Sequence, residues 1–252
     1  MKRKAILIEA SDVYGQKDLP GARVDIVNWK IFLKSDLGGS WNDDEITIHR
    51  KPKSSDLAYA LCCEKDCYCL VAFSGHGSDG SVVLNDSTHS HPISGLKPSS
   101  SRGTVIVDSC RGISEARSYN FSAANAVIGE QRAVQAKGRL ICNYGGDAQT
   151  RQYLSSIRHR GLWNDSVIGC QAGIVEMLAC AKGQEAGEDS SAGGYYTSLL
   201  LDSVEKWAVT SRVNSIHTTK DAHDYAAIKL TSLQNPEYQP SWLKFPFAIK
   251  VQ

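Results

Sequence analysis

The sequence predicts an α/β fold on a mainly parallel, mixed central sheet with helices on both faces, a three-layer sandwich, and three observations carry that prediction. Apolar runs of strand length alternate with amphipathic stretches of helical length. The chain opens in the order β-α-β-α-β, which right-handed crossovers turn into a parallel sheet. Two apolar runs, residues 68–77 (YCLVAFSGHG) and 104–112 (TVIVDSCRG), end in loops that carry one histidine and one cysteine. Open parallel sheets bind ligands at such strand exits.

Taken in order, residues 4–9 are a buried strand and 18–21 its loop. Residues 22–37 form a crossover helix, in which Val24, Val27 and Ile31 recur at helical spacing, Ile26, Leu33 and Leu37 widen the apolar face, and Gly38-Gly39 ends the run. A second strand covers 45–49, and a helix with Asp56 in its first turn covers 54–65. The third strand is 67–73. Residues 82–84 form a small hairpin arm, 92–102 a loop, and 104–108 the fourth strand. An excursion over 111–138 is followed by a strand at 139–144, a helix near 149–158 and a strand at 173–180. The Gly/Ser-rich loop 182–194 leads to helices at 195–210 and 217–233, and a strand at 245–251 completes the mixed sheet. The first four strands are expected in the order 2-1-3-4.

At 252 residues, with no Pro- or Ser-rich linker, the chain reads as a single domain over 1–252. A net charge of +1 from 28 basic and 27 acidic residues gives no footprint for nucleic acid. The apolar stretches are strand-sized, and residues 1–12 reach Glu9 after too short an apolar run for a signal peptide. A cytoplasmic protein without direct membrane insertion is the expectation. Eight cysteines suit the reduced state, since Cys110, Cys142, Cys170 and Cys180 lie in or beside apolar segments. Cys62, Cys63, Cys67 and Cys69 crowd one segment, but their CxxxCxC spacing lacks a CxxC knuckle and a nearby histidine, so a helix end feeding a strand is preferred to zinc.

His76 and Cys110 lie 34 residues apart, about one strand-to-strand crossover, so adjacent strands can bring them together. An imidazole beside a thiol can take its proton and later give it to a leaving amine. Gly75 and Gly77 bracket His76, and the N–H groups of Gly77 and Cys110 suit a tetrahedral oxyanion. Taken singly, His76 is a loop histidine and Cys110 an inert thiol. Together they point to hydrolysis by a cysteine nucleophile. Two other classes stay open: a catalytically idle binding module, and a metal-dependent hydrolase using His76 with Asp79, Asp86, His89 and His91, whose ligands fall in one irregular loop without a motif such as HExxH.

Ser74-Gly75-His76-Gly77 and Asp108-Ser109-Cys110-Arg111-Gly112 resemble the histidine and cysteine signatures of the caspase/metacaspase superfamily of cysteine peptidases. The resemblance extends through residues 19–33 (LPGARVDIVNWKIFL), similar to the family's glycine-led turn and first helix. It continues through Gln184, Ala186 and Glu188, similar to its Q-x-A-x-E/D segment before G-x-x-T, and through 242–250, similar to its terminal strand. It implies a caspase-like sandwich and an endopeptidase with a His76–Cys110 dyad, acting on a protein or peptide substrate. By the same resemblance the pathway is cell death or antiviral defence, with a gasdermin as one conceivable substrate. Calcium orders the loops of many metacaspases, but no EF-hand-like run is present and no cofactor is expected.

Family specificity does not transfer directly. The metacaspase acid two positions after the cysteine that ends the fifth strand is Lys182 here, and the acid three residues after the nucleophile is Ile113. The first-helix arginine of caspases is matched by Leu19. Asp108 occupies the position that lines P1 in either relative, and Glu188 and Asp189 add acidic wall. Lys182 and Arg111 argue the other way. With Gly77 these form the candidate substrate-binding set, favouring arginine or lysine at P1, with aspartate or a small residue as alternatives.

Overall fold

The computed structural model describes residues 1–13, 15–86, 90–111, 148–231 and 233–252. The expected excursion after Arg111 and the strand at 139–144 lie outside the described residues, as do Gly112, Ile113, Cys142 and His89. Five strands run parallel: β1 (Arg3–Ala10), β2 (Ile46–Arg50), β3 (Tyr68–Gly75), β7 (Arg102–Asp108) and β8 (Gly173–Leu178). A sixth, β12 (Glu237–Gln239), joins β8 antiparallel, giving the order β12-β8-β7-β3-β1-β2. The first four strands thus follow the expected 2-1-3-4 order. The carboxyl ends of β3 and β7, where His76 and Cys110 emerge, lie side by side.

The terminal strand departs from expectation. β13 (Pro246–Lys250) lies outside the central sheet and pairs antiparallel with β11 (Ser215–Thr218) in a two-stranded ribbon. Consequently the helix expected from residue 217 begins only at α5 (Thr219–Leu230). Thr218 caps it by accepting from Asp221 N, and Asp221 returns a carboxylate to Thr218 N at 2.9 Å.

Alternation along the strands sorts two cores. Ala5, Leu7, Tyr68, Leu70, Ala72 and Met177 face one side, packed on α1 (Pro20–Lys34), α3 (Ala148–Ile168), α4 (Tyr195–Thr210) and α5. Ile6, Ile8, Val71, Phe73, Val105 and Val107 face the other. There they meet α2 (Ser54–Ala60), a 3-10 turn at Ile93–Leu96, and the small sheet of β4 (Gly77–Ser78), β5 (Ser81–Val83) and β6 (Ser90–Pro92). Both faces are covered, as the near-continuous apolar runs require. The orientation of α1 corrects the expected apolar face: Ile26, Trp29 and Leu33 are buried, while Val27 and Ile31 look outward. That rotation also buries the carboxylate of Asp25.

At the opposite end of the sheet the fold is clamped by charge. The Arg3 guanidinium lies 4.5 Å from the Trp41 ring and 5.2 Å from that of Trp163, and it donates to the carbonyls of Gly39 and Ser40. Glu45 accepts from both Arg3 and Arg160, tying β1 to α3.

Candidate active site

The register of β3 and β7 sets the geometry. Ser74 pairs with Asp108, so His76 and Cys110 each stand two residues beyond a matched pair on adjacent parallel strands. The two exit loops touch: a Cβ on Gly77 would lie 2.6 Å from the Cys110 carbonyl oxygen and 2.6 Å from Ser109 Oγ. Only glycine allows that approach. His76 Nε2 lies 2.5 Å from the Lys17 carbonyl. A carbonyl can only accept, so Nε2 carries the proton and Nδ1 is left as the basic nitrogen. Lys17 was not legible as an orienting group, because the interaction uses its backbone and not its side chain.

Burial is the dominant influence on both groups. It pushes the His76 imidazole below its ordinary value, against the opposing pull of the Lys17 carbonyl and Asp18. It pushes the Cys110 thiol up; its S–H donates to the Ala186 carbonyl at 3.6 Å, and Glu185, Asp108 and Glu188 add negative charge nearby. Both shifts favour the neutral thiol and the neutral imidazole. If the sulfur acts as a nucleophile, a proton has to move as it attacks, which is general-base rather than preformed-thiolate chemistry.

Beside the thiol lie two buried carboxylates and a half-buried third. Asp108 Oδ2 accepts from Thr197 N at 2.9 Å and Thr197 Oγ1 at 2.8 Å, and its Oδ1 has no hydrogen-bond partner among the described residues. Asp25 Oδ2 accepts from Ser74 Oγ at 2.6 Å, and its Oδ1 from Gly194 N at 2.9 Å. Both carboxylates converge on Gly194, where a Cβ would sit 2.3 Å from Asp108 Oδ2 and 3.0 Å from Asp25 Oδ2. Glu188, in β9 (Glu188–Asp189), joins them from across Gly21. Burial raises Asp108 to about 6 and Glu188 to about 7, the latter helped by repulsion from Asp108. Burial, then repulsion from Asp108, raises Asp25 well above the usual carboxylate range. Among the described residues no Lys or Arg forms an ion pair with any of the three.

A family model described as the caspase domain matches residues 2–240. The chain belongs to the caspase-domain family. Among solved structures, a crystal structure of caspase-1 from Spodoptera frugiperda is similar at a TM-score of 0.57 and 14% identity, covering 99% of this chain and 92% of that one. At that identity the likeness speaks for the fold. No curated protein matches the chain.

The remaining residues of this caspase domain divide between the site and its scaffold. Lys182 Nζ pairs with Asp79 Oδ2 at 3.0 Å, bridging the loop after β8 to the His76 hairpin, with its side chain largely exposed. Arg111 is engaged: its guanidinium donates to the Cys180 carbonyl at 3.0 Å and to Glu237. Asp189 Oδ1 accepts from Ser191 N, Ser191 Oγ and Ala192 N, closing the turn between β9 and β10 (Gly193–Gly194). Gln184 holds the 182–194 loop through Asn235 N and, by its own carbonyl, Arg111 N. Buried Gln234 joins Gly187 N to the Ala179 carbonyl. The described members of the alternative metal set have other partners: Asp79 pairs with Lys182, Asp86 accepts from Ser54 N at 2.6 Å, and His91 packs on Gly95. Among the described residues no group of three or more His, Cys, Asp or Glu side chains could hold a metal, and no helix is long and apolar enough to cross a membrane.

Asp25 is the residue that sequence reasoning missed. A signal was present: in the run 21–33 Asp25 falls between Ala22 and Ile26 on the same helical face as Trp29, and that face, not the expected Val24-Val27-Ile31 stripe, is the buried one.

Proposed function

We propose that this caspase domain is a cysteine endopeptidase that cuts protein chains after arginine or lysine, with Cys110 as nucleophile and His76 as its base. The contact of Gly77 with the Cys110 carbonyl and the Ser109 side chain carries the reading, because it joins the two loops at one point with the ring nitrogen facing Lys17 already committed as a donor. Nδ1 of His76 takes the thiol proton while sulfur attacks the scissile carbonyl carbon, and the N–H groups of Gly77 and Cys110 stabilise the oxyanion. The tetrahedral intermediate collapses, the C–N bond breaks, and the imidazolium protonates the leaving amine. Water, deprotonated by His76, then hydrolyses the thioester and restores the thiol.

The acidic group supports the P1 preference. An uncompensated buried carboxylate is expensive, and a guanidinium or ammonium arriving at Asp108 Oδ1, which has no hydrogen-bond partner among the described residues, relieves that cost. A P1 aspartate would add a further charge to Asp25, Asp108 and Glu188, and the arginine nearest the nucleophile, Arg111, is already held by Glu237. A protein substrate that presents Arg or Lys in an accessible loop fits this site; a gasdermin with a basic linker is one such substrate. The test is hydrolysis of fluorogenic peptides with Arg, Lys, Asp or Ala at P1. Turnover of the Arg and Lys peptides, abolished in Cys110→Ala and in His76→Ala, is expected. Full activity in either variant removes the dyad assignment, and preferential turnover after Asp removes the P1 assignment.

A further inference from the structure

A second group of thiols lies at the opposite end of β3, about seven residues or roughly 23 Å from His76 along the strand. Cys69 is fully buried in β3, and Cys63 is half-buried in the turn that follows α2. Their sulfurs are 3.4 Å apart. The turn is held in place, since Ser99 Oγ accepts from Cys63 N at 2.7 Å and donates to the Cys63 carbonyl at 2.8 Å. Lys4 reaches the same corner, with Nζ donating to the Ala60 carbonyl at 2.5 Å. Cys67 is directed elsewhere, its thiol donating to the Tyr68 carbonyl at 3.3 Å.

We propose that Cys63 and Cys69 form a peroxide-reactive dithiol, Cys63 being the attacking sulfur and Cys69 the resolving one. The sulfurs need to close by only about 1.4 Å to reach a disulfide bond length, and the half-exposed member is the one that solvent-borne peroxide can meet. The geometry also favours ionisation at Cys63: the Cys69 thiol can donate to a Cys63 thiolate and the Lys4 ammonium is near, which brings Cys63 down to about 7, while burial holds Cys110 above its ordinary value.

The chemistry balances with hydrogen peroxide as the oxidant. The Cys63 thiolate attacks one peroxide oxygen, the O–O bond breaks, and hydroxide leaves to be protonated to water, giving a sulfenic acid. The Cys69 sulfur then attacks the Cys63 sulfur. The S–O bond breaks, the S–S bond forms, and the departing hydroxide takes the Cys69 proton as a second water. Two thiols are oxidised and one peroxide is reduced. This inference does not rest on the peptidase reading of Cys110.

The experiment is treatment of the whole protein with one equivalent of hydrogen peroxide, alkylation of the remaining thiols, and peptide mass spectrometry. A loss of two hydrogens, assigned by fragmentation to a Cys63–Cys69 link and reversed by dithiothreitol, is expected, with Cys110 still alkylated. Cys63→Ser should leave Cys69 reduced, and Cys69→Ala should leave a Cys63 sulfenic acid that dimedone traps. A link through Cys62 or Cys67, oxidation of Cys110 ahead of the pair, or over-oxidation of Cys63 in the wild-type protein without a link would overturn the proposal. The wild-type map decides even if the Cys69 variant fails to fold.

Discussion

Asp108 and Thr197 are joined twice through one oxygen: the Thr197 backbone N–H at 2.9 Å and its hydroxyl at 2.8 Å both donate to Asp108 Oδ2. Thr197 lies in the first turn of α4, so the fixed oxygen faces a helix N-terminus. These donors favour the carboxylate, yet burial outweighs them and leaves Asp108 at about 6. The strand that delivers Cys110 therefore also delivers, two residues before the thiol, a carboxylate with one oxygen bonded twice and the other without a hydrogen-bond partner among the described residues.

Asp108→Asn should lower kcat/KM for P1-Arg substrates by roughly 10- to 150-fold, the worth of one charge-assisted hydrogen bond of about 1.5–3 kcal/mol. Stability should not fall at neutral pH, because the amide oxygen still accepts from Thr197 and no buried charge remains. Thr197→Val keeps the backbone donor and removes the hydroxyl, so a stability loss of about 1–2 kcal/mol with a smaller kinetic effect is expected. Steady-state kinetics beside urea denaturation separate the two. Equal kinetic losses in both variants would argue for a structural role of the pair.

Protonation of the acidic group gives a pH dependence with a definite sign. Asp108 rises from 3.8 unfolded to about 6 folded, and Glu188 from 4.5 to about 7. Folding thus favours their protonated forms. The stabilisation is full below the unfolded values and is lost as pH rises through the folded ones. The Tm advantage of Asp108→Asn over wild type should accordingly grow between about pH 4 and 6.5 and then level off, corresponding to on the order of 1–3 kcal/mol. KM for a P1-Arg peptide should fall in wild type as pH rises through about 6 and 7, where the carboxylates ionise. A flat Tm difference across that window would show that Asp108 titrates normally.

Cys110 should react as a buried neutral thiol. Its iodoacetamide rate, read from the tryptic peptide spanning residues 103–111, should keep rising through pH 9 with no plateau between pH 5 and 8, because burial raises the thiol and lowers the His76 imidazole. A plateau below pH 7 would reveal a preformed thiolate–imidazolium pair.

How legible this molecule was depends on where the information lies. The four strands that deliver His76 and Cys110 are written as apolar runs, because strands buried on both faces need no polar alternation. The antiparallel edge strand is not: Glu237–Gln239 is three residues between prolines, and only its pairing with β8 makes it a strand. The apolar run 245–251 drew attention in its place, although its partner is Ser215–Thr218, hidden just ahead of a helix cap. In the candidate site, His76, Gly77, Cys110, Asp108 and Glu188 carry their chemistry in their own side chains or local spacing. Asp25 and the Lys17 carbonyl gain theirs only from tertiary placement, one by the rotation of α1 and the other through a backbone atom.

The most direct test of the account labels the nucleophile and probes the P1 site together. Wild-type protein is treated in parallel with peptide chloromethyl ketones that differ only at P1, arginine against aspartate, and the modified residue is located by mass spectrometry. Alkylation of Cys110 is expected, faster for the arginyl reagent by roughly tenfold or more, with that preference reduced in Asp108→Asn. Faster labelling by the aspartyl reagent, or modification of another cysteine in place of Cys110, would contradict it.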